Sequence, residues 1–408
     1  MTMIAEEYSD TRHTSAPRLL AAGPTAGADR HAAVFGPRPR PVLDVLLDEL
    51  ELAGLTGRGG GSFPAYRKLA ATGGRRGAVV IGNGGEGEPW SAKDAVLLEN
   101  APHLVIDGLL IAADALGAGR AILSVRSGSL DAVRGALAER RDAARVEIVP
   151  AAEGFVAGEA SAVVRYLRTG VAKPADRTRR LSEAGLDGRP TLVHNVETLA
   201  QLALVARYGG AWFRSSGSPA DPGTRLLTVG GDVPDPGVVE APSTTTIADA
   251  IRLAGGEPAN AGAALIGGYH GVWVPAAGFG AALSVVGLAP WGAAPGAGVV
   301  HVLAPDRCGL AATATVLQEL AAASAGQCGP CRFGLPALAA RFGEIAGGRL
   351  TAEAAAEAVR LADLVDGRGS CHHPDGTARL ARSALRVFAA DVLAHASGRC
   401  VGTGEGER

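Results

Sequence analysis

With 408 residues, 47% of them apolar and 20% charged, the chain is long enough for two or three domains and has the composition of a folded globular protein. Its 39 basic and 41 acidic residues nearly cancel, which excludes an overall pull toward nucleic acid or an anionic membrane and leaves affinity to local sites. No basic segment followed by an apolar core opens the chain, so no secretory leader is read and the cytoplasm is the expected compartment.

Residues 1–40, rich in Ala, Pro, Gly and Arg without periodicity, are expected to form an irregular arm. Val42, Val45, Leu46 and Leu50 share one helical face within 42–54, and Gly54 is the expected stop. From 77 to 150 short apolar runs alternate with helical stretches, which predicts βαβ units and a mainly parallel sheet. Two short strands around Gly/Pro turns and one short helix predict a small α+β module over about 222–302. Residues 258–305 carry no Asp, Glu, Lys or Arg, but Gly and Pro interrupt them too often for a membrane span, so turns and short strands are read there. Beyond 310, helical stretches near 310–324, 334–346, 351–364 and 376–397 flank most of the cysteines.

Two glycine-rich loops stand out. Gly57, Gly59, Gly60 and Gly61 precede Phe63, Pro64 and Lys68, offering free backbone N–H groups and an ammonium that suit a phosphate; the loop follows a helix, so it is not a Rossmann fingerprint. The second loop, IGNGGEGEP at 81–89, follows an apolar strand, where open α/β sheets place ligands. Its acids Glu86 and Glu88 would repel phosphate and instead suit N–H, amide or hydroxyl donors, as on a flavin ring, a nicotinamide carboxamide or a ribose. The alternative is a solvated acidic turn. The chain has 36 arginines and three lysines, Lys68, Lys93 and Lys173, so a retained lysine either marks a place that needs a compact ammonium or is a chance survivor of arginine bias.

Five cysteines, Cys308, Cys328, Cys331, Cys371 and Cys400, argue for metal or redox use over a disulfide framework. CGPC at 328–331 also has the form of a thioredoxin dithiol, and zinc or unligated thiols are further readings.

The segments GRGGGSFPAYRK, GNGGEGEPWSAKD, APHLVIDGLLIAADALGA, VAGEASAVV, GRPTLVHNVETLAQL, GGAWF and CGPCRFG stand in the order and approximate spacing of the NADH-binding flavoprotein subunit of respiratory complex I and its diaphorase relatives. From about 40 to 395 the chain resembles that family. The resemblance implies an α/β FMN-binding domain (41–221), a ubiquitin-like SLBB α+β domain (222–302) and a C-terminal helical bundle (303–408) holding an iron–sulfur cluster. It places Gly57, Arg58, Gly59, Gly60 and Lys68 at the flavin and dinucleotide phosphates. Asn83, Glu86, Gly158, Glu159 and Asn195 line the FMN, Phe63 stacks on adenine, and Glu88 accepts from the nicotinamide amide; Glu88 and Glu159 are the residues assigned to catalysis.

This chain departs from the family pattern at Gly85 and Ala160, where the family has acids, near Leu69 and Arg180, where it has adenine-clamping aromatics, and at Ala325, where it has a cysteine ligand. Cys328, Cys331 and Cys371 remain for a [4Fe-4S] or [3Fe-4S] cluster, with His372, His373, Cys308, Cys400 or a partner's residue as the fourth ligand. The function implied is an electron-entry subunit that oxidises NAD(P)H through FMN and passes electrons by the cluster to a ferredoxin-like, other iron–sulfur or quinone-linked partner, with no membrane span of its own and membrane association only through partners. The alternative is a non-catalytic scaffold subunit whose cysteine site is zinc-bound or empty.

Overall fold

The computed structural model describes residues 11–13, 16–175, 179–348 and 352–400. It divides into two compact units, the first taking residues up to 87, 91–228 and 237–245, the second taking 88–90, 229–236 and 246 onward.

The first unit is built on a four-stranded parallel sheet in the order Val146–Pro150, Arg120–Val125, Val79–Gly84, Thr191–Asn195. The alternation read from 77 to 150 is what produces it, because parallel neighbours need a crossover and the intervening helical stretches supply one. Val79 to Ile81 and Ile122 to Val125 are buried, as expected of strands covered on both faces. Pro102–Ala115 is the central helix, with Pro102 in its first turn and nearly every residue buried. Gly108 sits where this helix crosses Val196–Phe213: a Cβ there would lie 1.9 Å from the carbonyl oxygen of Leu199, so no residue larger than glycine fits without moving a helix.

Leu43–Ala53 forms a helix as its apolar spacing predicts, and Gly54 ends it in the left-handed region at φ 66°. The expectation of an irregular arm needs correction over its described part. Ala28–Phe35 is helical, and Leu19, Leu20 and Phe35 belong to the core. The cause lies far along the chain: the buried Glu240 carboxylate accepts from the backbone N–H groups of Arg18 (3.0 Å), Leu19 (2.9 Å) and Leu20 (3.2 Å) and from the Thr224 hydroxyl (2.7 Å). Such an anchor leaves no trace in local composition. Residues 1–10, 14 and 15 of the expected arm lie outside the described residues.

The strand Thr224–Gly231 runs from the first unit into the second. In the first unit Gly237–Pro242 pairs in parallel with Thr11–His13. In the second, Ala263–Ile266 pairs antiparallel with both Val272–Pro275 and Val299–Leu303, and the helix Ile247–Leu253 opens with a reciprocal Thr246/Asp249 cap. Short strands stand in the predicted α+β module as expected, but it carries a second short helix, Val285–Leu288, besides the one expected. The C-terminal bundle comprises Gly309–Ala322, Leu335–Ala346, Ala352–Val365, His373–Val387 and Ala389–Ala396. The stretch expected over 376–397 is thus two helices. The break falls at Phe388, whose ring lies against Gly309 and edge-on to Trp273 at 5.2 Å. Among the described residues no single helix is long and apolar enough to cross a membrane.

Candidate active site

Register alone puts Asn83 beside Asn195 at the carboxyl ends of two parallel strands. Asn83 Nδ2 donates to the Gly158 carbonyl at 2.8 Å, which ties the loop after Val79–Gly84 to the loop before Ala160–Thr169. The two backbones touch: a Cβ at Gly87 would meet the Phe155 carbonyl oxygen at 2.5 Å, and one at Gly158 would meet that of Gly85 at 2.8 Å. Gly59 lies against Asn195, where a Cβ would stand 3.2 Å from the asparagine Cβ. Glycine is therefore required at 87 and 158 for the loops to converge, Gly59 packs closely on Asn195, and Asn83, Gly158, Asn195 and Gly59 come together.

The loop at 57–63 closes on itself. Gly57 N–H donates to the Phe63 carbonyl at 2.9 Å, Gly60 takes a positive φ of 97° and Ser62 one of 45°. Phe63 presents an exposed ring beside it. Lys68, on the helix Ala65–Thr72, donates to the Val193 carbonyl at 2.5 Å; burial lowers its pKa, Glu159 opposing. An ammonium has three hydrogens, so others remain for an anion.

Beneath these loops lies a charged network that the sequence reading did not find. Lys93 is buried between Asp94 (2.6 Å) and Glu197 (2.9 Å), and Asn195 Nδ2 donates to Asp94 at 2.6 Å. Burial alone would lower the Lys93 pKa, but Asp94, Glu197 and Glu86 together raise it. Glu86 accepts from the Ser91 hydroxyl through Oε1, while its buried Oε2 has no hydrogen-bond partner among the described residues. Burial first, and Asp94 second, push its carboxyl up to about 7. The one signal available was Lys93 itself, one of three lysines among 36 arginines.

A carboxyl whose folded pKa is raised from about 4.3 contributes stability that is complete below that value and is lost as pH rises through about 7. Glu86→Gln in the cofactor-free protein is therefore expected to abolish part of the stability loss between pH 6 and 8. Denaturant midpoints at both pH values check it, and parallel pH profiles for the two proteins would contradict it.

Three predicted residues also make contacts within the fold. The Arg58 guanidinium is buried, donating to the carbonyls of Thr224 (3.2 Å) and Pro222 (3.4 Å) and lying 3.8 Å from Asp221, so the side chain braces the loop from within the fold. Glu159 caps the helix Ala160–Thr169, accepting from Ser161 N–H (2.8 Å) and Ala162 N–H (3.1 Å). Glu88 belongs to the second unit and accepts from the backbone of Tyr269 (2.9 Å) and Trp90 (3.4 Å).

Also in the second unit, Cys331 and Cys371 are buried and Cys328 half-buried. Burial, then Cys328, then Cys371 push the Cys331 thiol up to about 12, so the three sulfurs share one electrostatic neighbourhood. Ala325 is buried. Of the expected fourth ligands, His373 is committed elsewhere: Nε2 donates to the Leu320 carbonyl at 2.8 Å and Nδ1 lies 3.1 Å from His270. Cys308 and Cys400 gather around His395 instead. His372, exposed and paired with Asp375 at 3.0 Å, is left, together with an outside ligand.

A cofactor fit can be judged from these donors. The unpartnered buried Oε2 of Glu86 is an acceptor that a flavin N–H or ribityl O–H would satisfy, and the glycines let backbone approach a planar ring. Three clustered thiols are soft donors that suit an iron–sulfur core.

The Nuo51 FMN-binding domain matches residues 50–204, the SLBB domain 226–268 and the NADH-ubiquinone oxidoreductase-F iron-sulfur binding region 311–395. An NADH-quinone oxidoreductase subunit of Rhizobium meliloti (strain 1021) is 28% identical over 373 residues, covering 86% of this chain and 89% of the relative. The corresponding NADH-quinone oxidoreductase subunit of Mycobacterium tuberculosis (strain ATCC 25618 / H37Rv) is 29% identical over 392 residues, covering 88% and 85%. A solved NAD+-reducing [NiFe]-hydrogenase in the air-oxidized state superimposes with a TM-score of 0.84 at 29% identity, over 95% of this chain and 68% of that one. Fold, site and domain order together define a flavoprotein with an FMN-binding domain, an SLBB domain and an iron–sulfur region. The chain belongs to the 51 kDa-type flavoprotein subunits of respiratory complex I and their diaphorase relatives, as a divergent member.

Proposed function

We propose that this chain is a flavoprotein electron-entry subunit, an NADH dehydrogenase or diaphorase-type oxidoreductase that oxidises a reduced nicotinamide at FMN and delivers electrons through an iron–sulfur cluster to a redox partner subunit. The observation that carries this reading is the buried, unpartnered Oε2 of Glu86 set between loops whose glycines bring backbone to backbone. The chemistry a bound flavin supplies is hydride acceptance followed by single-electron release.

In this reading Asn83, Glu86, Gly158 and Asn195 orient the ring and its ribityl chain. The backbone N–H groups of Gly57, Gly59 and Gly60 and the Lys68 ammonium meet phosphate, with Arg58 holding the loop from behind. Glu159 fixes the start of its helix, which keeps Gly158 in place. Phe63 offers the stacking face for adenine. Glu88 is the acceptor for a nicotinamide carboxamide N–H. Cys328, Cys331 and Cys371 hold the cluster. The functional division is 41–221, 222–302 and 303–408. The proposed acceptor is a ferredoxin-like or other iron–sulfur subunit, with a quinone-linked partner as the second reading, and any membrane association runs through partners.

Phe63→Ala is expected to raise the nicotinamide KM about 2- to 12-fold in a dye-reduction assay while flavin content is unchanged, the loss of one aromatic stack. Glu88→Gln should likewise act on the nicotinamide and spare the flavin. A variant that sheds its flavin while turnover per bound flavin stays normal would overturn these assignments.

A further inference from the structure

We propose that Cys308, His395 and Cys400 form a second metal site, separate from the Cys328, Cys331 and Cys371 set, that takes a zinc-type divalent cation through two sulfurs and one imidazole nitrogen. Their ligand atoms all lie within 4.8 Å of one another, and Cys308 Sγ stands 3.5 Å from His395 Nε2. A sulfur about 2.3 Å and a nitrogen about 2.0–2.1 Å from a tetrahedral zinc are themselves about 3.6 Å apart. The pair is therefore spaced for one ion, with no rearrangement needed.

The surroundings orient these groups as a metal would require. His395 is buried, and its Nδ1–H donates to the Ile345 carbonyl at 3.0 Å, which puts the proton on Nδ1 and leaves the Nε2 lone pair facing the sulfur. Cys308 caps the helix Gly309–Ala322, where the Ala311 N–H donates to its Sγ at 3.4 Å and fixes the sulfur on the side of His395. Cys400 is returned to the site by a closed turn: Gly398, at φ 69°, donates to the His395 carbonyl at 3.0 Å, and Arg399 donates to that of Ala394 at 2.9 Å.

Two sulfurs and an imidazole select a borderline-soft cation, and three protein ligands leave the fourth tetrahedral position to water. Binding balances as one M²⁺ taken up and two thiol protons released. The ion would join residues on either side of the bundle's full sequence, from the start of its first helix to the turn after its last.

The full chain, purified anaerobically with its iron–sulfur centre loaded, is assayed for zinc and iron alongside Cys400→Ser and His395→Gln. One zinc per chain is expected in the parent, lost in both variants with iron content unchanged. Replacing zinc by cobalt should give a thiolate-to-cobalt charge-transfer absorption in the parent that both variants lack. Cys400 lies half-buried near the end of the chain, so its replacement reads ligation apart from folding. Equal zinc in parent and variants, no uptake from excess zinc, or an intact mass lower by two hydrogens, marking a Cys308–Cys400 disulfide, would each overturn the proposal.

Discussion

Replacing Lys93 by methionine is expected to destabilise the first unit by about 3–5 kcal/mol, because it strips the cation from a buried cluster of acids. Lys93 is the ammonium within 2.6 Å of Asp94 and 2.9 Å of Glu197, and Glu86 belongs to the same network. The sign with pH is set by those acids. Burial raises both the Glu86 and Asp94 pKa values even with Lys93 present, and removing it raises them further. Acids that take up protons escape the repulsion, so the variant should lose less at pH 5 than at pH 8. Denaturant midpoints at the two pH values measure this, and parental stability at pH 8 would contradict it. Because Asn195 bonds Asp94 and pairs in register with Asn83, the same variant should bind FMN more weakly.

Cys331→Ser is expected to remove the iron–sulfur cluster while leaving FMN and dye reduction in place. Cys331 is buried, and after burial both Cys328 and Cys371 push its thiol pKa up. Two remaining thiolates are too few for a cluster of this type. Iron, acid-labile sulfide and the electron paramagnetic resonance of the reduced protein should all fall together, whereas zinc without sulfide in the parent would contradict an electron-transfer role for these cysteines. In the same assay Ala325→Cys should turn a three-iron signal in the parent into a four-iron one, since it restores the ligand the family carries there.

Much of this architecture was legible because it is local. Gly54 stops its helix, the alternation over 77–150 becomes a parallel sheet, and the glycines near 57 and 84 become loops at the sheet's ligand end. What escaped was nonlocal or double-valued. Glu240 anchors residues 18–20 from more than 200 positions away, so compositional bias was mistaken for irregularity. His373 reads as a ligand beside Cys371, yet His270 and Leu320 claim both its ring nitrogens. Glu159 reads as a ligand-facing acid, and an acid before a helix serves equally as its cap. The Lys93 network joins positions 86, 93, 94 and 197, a convergence that only register and helix packing create.

The central claim is tested most directly by purifying the protein without oxygen and extracting its flavin. About one FMN per chain, bleached by added NADH and restored by a dye acceptor, is the predicted result; a colourless protein that takes up no added FMN would contradict it.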